Sequence, residues 1–166
     1  MTSKQIQELA KQISSMLSES NNKYKETEAL LYNYTGYKET IVRNKQRIDN
    51  ITQNGAEEKA KSNKGEYVQG GIKEYGGLPE EEIRQIDHIL EENSKLEKRV
   101  IRIENALIHI EDDEYQEIIA LRYFKNKSIE EIATHLDVNE KTIARNRTRI
   151  INKLQTILFS EIIIGY

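Results

Sequence analysis

Residues 128–154, SIEEIATHLDVNEKTIARNRTRIINKL, leave few folds open. Ser128 is followed three residues later by Glu131, the pairing that closes a capping box over the free N–H groups at a helix start. Ile129, Ile132, Ala133 and Leu136 then fall on one helical face. Ala133 is small enough for a second helix to cross closely. Asp137, Val138 and Asn139 make a short polar break around one apolar residue, and Asn139 is a good N-cap for a second helix. Ile143, Ile150 and Leu154 supply the buried face of that helix. Lys141, Thr142, Arg145, Arg147, Arg149 and Lys153 occupy its other face. Two helices joined this tightly read as a helix-turn-helix, the unit that lays its second helix in the major groove of DNA.

Charge points the same way. Residues 139–153 hold five Lys or Arg and one acid, net +4, in a chain whose net charge is −3. A local cationic excess in an acidic protein is a better sign of nucleic-acid contact than overall basicity. The competing reading, a solvated helix face, fits the charge alone; it does not account for the capped, Ala-containing helix pair. Residues 80–120 carry five bases and thirteen acids, net −8, directly before the basic segment. That block is either a solvated helix surface or a brake on non-specific DNA binding that could also face a basic partner.

The chain has 166 residues, 37% hydrophobic and 32% charged, with one proline and no cysteine. That balance fits an all-α protein with much surface and excludes disulfides and thiolate metal sites. No apolar signal-peptide core opens the chain and no run is long enough to span a bilayer, so a cytoplasmic protein is expected, with no membrane partner.

The expected organisation has four parts. Residues 1–54 form an N-terminal helical region, either a helical hairpin or a long helix. Ile6, Leu9, Ile13, Met16 and Leu17 lie at helical spacing, a polar break falls at 18–22, and a second run carries Leu30, Leu31, Tyr34, Ile41, Ile48 and Ile51, with Gly36 marking a kink or turn. Residues 55–77 contain six glycines and no periodicity and read as a flexible loop. Residues 78–113 form a long helix opened by Pro79, with Glu80, Glu81 and Glu82 at the positive end of its dipole. Ile83, Ile86, Leu90, Asn93, Leu96, Val100, Ile103, Leu107 and Ile110 give it a coiled-coil-like seam, with Asn93 placed to set register. The seam suits either association between copies or packing on the N-terminal helices. Asp112 and Asp113 interrupt it. Residues 114–166 hold the helix-turn-helix and an apolar end, Ile157-Leu158-Phe159 and Ile162-Ile163-Ile164, which packs on a core or promotes self-association.

Catalytic machinery is not expected. There is no phosphate loop with its Lys-Ser/Thr pair, and His88, His109 and His135 do not have a metal-ligand spacing. No carboxylate pair stands out from the helix-surface pattern. The expectation is therefore no enzyme, no catalytic residue, no metal and no cofactor. His135 could touch a phosphate or be a plain surface histidine.

Residues 121–154 resemble region four of bacterial sigma factors, which reads the upstream (minus-thirty-five) promoter element. The resemblance lies in Leu121-Arg122-Tyr123-Phe124, Ser128-Ile129-Glu130-Glu131-Ile132-Ala133, Leu136-Asp137-Val138, Thr142-Ile143 and the closing Ile150, Lys153 and Leu154. No core-binding or melting region of a sigma factor is visible upstream. The segment Thr27-Glu28-Ala29-Leu30-Leu31-Tyr32-Asn33-Tyr34, followed by a polar helix, a loop and a long helix, is similar to the ArpU- and RinA-type late-gene activators of phages of low-GC Gram-positive bacteria. The resemblance implies base contacts from Glu140, Lys141, Thr142 and Arg145, and phosphate contacts from Asn139, Arg147, Arg149 and Lys153. The chain departs from the pattern at Asn146, often apolar in sigma-like domains, and at Arg147, where many have Leu. Chemistry supports the same division, because the front of a recognition helix reaches base edges and its flank reaches backbone. The Arg145 fork matches the guanine O6 and N7 acceptors.

The reading favoured by the sequence is a sequence-specific transcriptional regulator, a phage or prophage late-gene activator, with double-stranded DNA as partner. RNA polymerase is a further possible partner and a homo-oligomer a possible state. The alternatives are a small-terminase-type DNA-packaging subunit, which a ring would favour, and a helical protein that binds RNA polymerase without binding DNA.

Overall fold

The structure, a computed structural model, describes residues 3–62 and 78–160, with side chains over 4–54 and 78–160. The described residues are all-α, as expected: α1 (Ser3–Ser62), α2 (Glu80–Ile108), α3 (Glu117–Ile119), α4 (Ile129–His135) and α5 (Glu140–Ser160). At its end α3 runs into a wider turn, Ala120–Phe124, in which the Lys125 N–H reaches the Ala120 carbonyl five residues back, at 3.0 Å.

The first helix corrects three expectations. It passes without a break through 18–22 and through Gly36, and it continues to Ser62 where a loop from 55 was expected. The physical reason is that Ser and Asn cost only a few tenths of a kcal/mol each at exposed helix positions, and one Gly about 1 kcal/mol. Strong flanking turns carry such costs. The remainder of the expected loop, 63–77, lies outside the described residues.

The chain divides into two compact units, Gly36–Val100 and a second made of Met1–Thr35 with Ile101–Tyr166. In the first unit, α1 and α2 run antiparallel. Ile41, Ile86, Ile89 and Val100 are buried. Lys45 pairs with Glu97 at 3.2 Å, and the Arg99 guanidinium lies 5.6 Å from the Tyr37 ring centre. Asn93 is buried on the seam, as expected, and its Oδ1 accepts from Asn44 Nδ2 at 2.8 Å. The seam passes through Ile89, buried, and not through Leu90, which is 43% exposed. Positions 86, 89, 93, 96 and 100 alternate strictly three and four apart, and Leu90 falls off that line. Along this stretch the seam packs on the chain's own α1.

In the second unit, Ile103 and Ala106, the latter in place of the expected Leu107, continue the α2 seam, Ile110 follows in the turn after α2, and α1 adds Thr27 and Leu31; all five are buried. Tyr123 is the largest fully buried side chain. Its hydroxyl donates to Glu28 Oε1 at 2.5 Å, and the Tyr32 ring packs on it edge-to-face with centroids 4.6 Å apart. Burial, with the Glu28 carboxylate beside it, pushes the Tyr123 phenol up. Tyr34 packs on Phe124 at 4.7 Å and donates to Glu104 at 2.7 Å. The N-terminal helix thus forms part of the floor of the C-terminal region. The far end of α5 is tied to α2: the Arg102 guanidinium donates to the Leu158 carbonyl and stacks over the Phe159 ring. Ile162, Ile163 and Ile164 lie outside the described residues.

Candidate nucleic-acid interface

Each joint of the 128–154 segment forms as its residues dictate. Ser128 Oγ accepts from the Glu131 N–H at 3.1 Å, and Glu131 Oε2 accepts from the Ser128 N–H at 2.8 Å, completing the capping box. Lys127 pairs with the other Glu131 oxygen at 2.7 Å. That hydrogen bond, with the Ser128 N–H, holds the Glu131 carboxyl below its ordinary range. Helix α4 then ends on a Schellman motif. The Val138 N–H reaches the Ala133 carbonyl at 3.0 Å, and the Asp137 N–H reaches that of Thr134 at 3.4 Å. The motif needs a left-handed residue, and Asp137 takes that role with φ 53°. Asn126 does the same with φ 54° at the end of the preceding wide turn. Asn139 caps α5, its Oδ1 accepting from the Thr142 N–H at 2.8 Å.

One small core sets the crossing of the two helices. Ile118, Leu121, Ile132, Ala133 and Ile143 are buried together, with Tyr115, Ile129, Leu136 and Val138 packed around them. The short Ala133 side chain lies at this contact, as its position in the sequence predicts. Ile143, Ile150, Ile151, Leu154 and Leu158 form the inner face of α5.

The residues expected at base edges and phosphates separate into two groups. Glu140, Lys141, Arg145 and Lys153 are exposed on α5. Lys141, Arg145, Arg149 and Lys153 recur every four residues, so they form one slowly turning row of cations. At the head of that row, Glu130, Ala133, Thr134, Asp137, Val138, Asn139, Glu140 and Lys141 line a shallow, open concavity. Thr142 is half-buried and its hydroxyl donates to Asn139 Oδ1 at 3.1 Å, so both are engaged in the cap.

Two of the residues expected at phosphates also meet side chains of their own fold. Arg147 is half-buried, with its Nε enclosed and unpartnered, and its charge acts on Tyr123 inside the unit. Arg147 stands at the position where the sigma-like resemblance expects Leu. Arg149 makes two hydrogen bonds to Asp113, at 2.7 and 2.8 Å, and a third to Asn146 Oδ1 at 3.1 Å. The Asp113 carboxylate, 10% exposed, also accepts from the Tyr115 N–H at 3.0 Å. Arg149 first of all, then the Tyr115 N–H, hold Asp113 down at about 2. In return Asp113 raises the Arg149 guanidinium. Asp113 was legible only as a helix interruption, because its partner lies 36 residues away. His135 is paired with Glu117 at 3.0 Å.

These features define a class: a capped helix-turn-helix whose second helix turns a cationic row outward. Residues 112–154 match the family model described as Sigma-70, region 4, and the C-terminal region is a sigma-70 region 4-like helix-turn-helix. No curated protein and no solved structure matched the chain. Among the described residues no group of three or more His, Cys, Asp or Glu is arranged to hold a metal ion, and no helix is long and apolar enough to cross a membrane.

Proposed function

We propose that the protein is a sequence-specific DNA-binding transcriptional regulator that acts without catalysis in the cytoplasm of a bacterial host, as a late-gene activator of the ArpU and RinA type. The observation that carries this reading is the outward row of Lys141, Arg145 and Lys153 on a helix presented by a sigma-70 region 4-like frame. Glu140, Lys141 and Arg145 stand at the front of α5, where a recognition helix meets base edges. Arg145 is the reader of guanine and Lys141 a second base or phosphate contact. Lys153 lies further along the flank and contacts phosphate, as the Nδ2 of the Asn139 cap also can. Arg147 and Arg149 serve the frame in place of the DNA. RNA polymerase is the natural second partner, since region four of a sigma factor works at promoters.

Selection of bound sequences from a randomised DNA library with the purified chain tests the reading. The expected result is one enriched motif with a dominant G·C pair that Arg145→Ala relaxes. Salt-independent binding, or no enrichment, overturns it and leaves a protein that meets the polymerase by contact alone. A ring-shaped oligomer bound to one site at the start of a packaged genome would move the reading to a packaging subunit.

A further inference from the structure

Residues 4–22 of α1 are exposed throughout. Their apolar members still form a single stripe. Ile6, Leu9, Ile13, Met16 and Leu17 are all large and 47–69% exposed. They recur three and four residues apart, in phase with Tyr24, Thr27, Leu31 and Tyr34, the face by which α1 packs further along. One helix face therefore continues from a packed stretch into a stretch that no described residue covers. We propose that this N-terminal stretch is a self-association surface that pairs two copies of the chain.

Three observations favour a second copy over another occupant. First, the charges of the stretch, Lys4, Glu8, Lys11 and Glu19, lie away from the stripe, its borders carry Gln5, Ala10 and Gln12, and the uncharged Ser20 lies on its line. Two identical faces therefore meet without like-charge repulsion. The stripe also offers no charge by which to select an acidic or basic partner. Second, five half-exposed side chains leave on the order of 500 Å² uncovered, at the upper end for a monomer. Two copies facing each other would bury about 1,000 Å², the lower bound of a specific interface. Third, the stripe continues a coiled-coil-like spacing, which suits pairing with an equivalent helix. The inference does not depend on DNA binding. A paired helix-turn-helix would read two half-sites related by symmetry.

The test is sedimentation of the full chain without DNA, from about 1 to 100 µM, a range that brackets the weak affinity of a small interface. A reversible dimer is expected. The pair Leu9→Glu and Ile13→Glu should raise the dissociation constant about 20-fold or more, because each copy loses two buried aliphatic contacts. Lys11→Glu on the opposite face should leave it unchanged. Circular dichroism should report the same helix content for all three, since the positions are exposed. The chain has no cysteine, so Ile13→Cys provides a second readout: oxidative cross-linking that Leu9→Glu reduces. A wild-type chain that stays monomeric to 100 µM overturns the proposal. If Ile162→Ser, Ile163→Ser and Ile164→Ser together make that monomer associate, the apolar tail is the cover instead. A dimer that survives Leu9→Glu with Ile13→Glu also overturns it, because association then lies on another face.

Discussion

Replacing Asp113 with Asn should reveal how the reading helix is held. Asn keeps the shape and an oxygen for the Tyr115 N–H, and removes the charge and one of the two acceptor oxygens opposite Arg149. Folding lowers the Asp113 carboxyl from an ordinary 3.8 to about 2, and each unit of such a shift corresponds to about 1.4 kcal/mol. The upper bound is thus about 2.5 kcal/mol, and solvent around the half-exposed Arg149 reduces it to about 1–1.5 kcal/mol. The sign follows from a depressed acid. The contribution is complete above about pH 4, where folded and unfolded chains both carry the ionised group. It is lost as the pH falls toward 2, because the unfolded chain takes up the proton first. Urea unfolding of wild type and Asp113→Asn at pH 7, 5 and 3 measures this. The difference should be about 1–1.5 kcal/mol at pH 7 and 5, and roughly half of that at pH 3. A difference that is absent at pH 7, or equally large at all three values, refutes the view that the ion pair anchors α5 to the turn after α2.

Arg145→Ala should weaken specific binding by about 1–3 kcal/mol and relax one or two base pairs of the selected motif, as loss of a bidentate base contact does; an unchanged motif removes Arg145 from the reading set. Lys153→Ala should lower affinity for all sequences and flatten the slope of log affinity against log salt by about one unit, whereas Arg149→Ala, already neutralised by Asp113, should change that slope by less. Equal slopes for the two variants would place Arg149 on the phosphate after all. At the left-handed position of the turn, Asp137→Gly should be neutral or stabilising and Asp137→Val should cost about 1–2 kcal/mol, measured by thermal unfolding. Gly36→Ala should stabilise the chain by about 0.5–1 kcal/mol, since a Cβ there meets nothing within 4 Å; a loss of stability would mean that the helix needs the glycine.

The features legible in the linear order of residues are local. The Ser128–Glu131 capping box, the Asn139 cap, the small Ala133 and the apolar spacing of α5 all act within about one or two helical turns. The sigma-like motif is built from such short-range signals. The 3–4 spacing of α2 was legible for the same reason, including Asn93 on its seam. Its exact line was not, because Ile89 and Leu90 are adjacent and equally apolar, and only the partner helix selects between them.

Packing settled what depends on residues far apart in the chain. The pairing of Asn93 with Asn44, the burial of Tyr123 against Glu28 and Tyr32, and the capture of Arg149 by Asp113 join positions between 36 and 95 residues apart. Composition does not encode such meetings. They also bear on the proposed DNA contacts, because a cation engaged by an acid of its own fold is less free to meet a phosphate. Arg145, Arg149 and Lys153 are exposed on α5, but Arg149 is paired with Asp113, and Arg147 is half-buried with its Nε enclosed. The sequence could count five cations along the recognition helix, but only their neighbours in space determine which of them are available to a phosphate backbone.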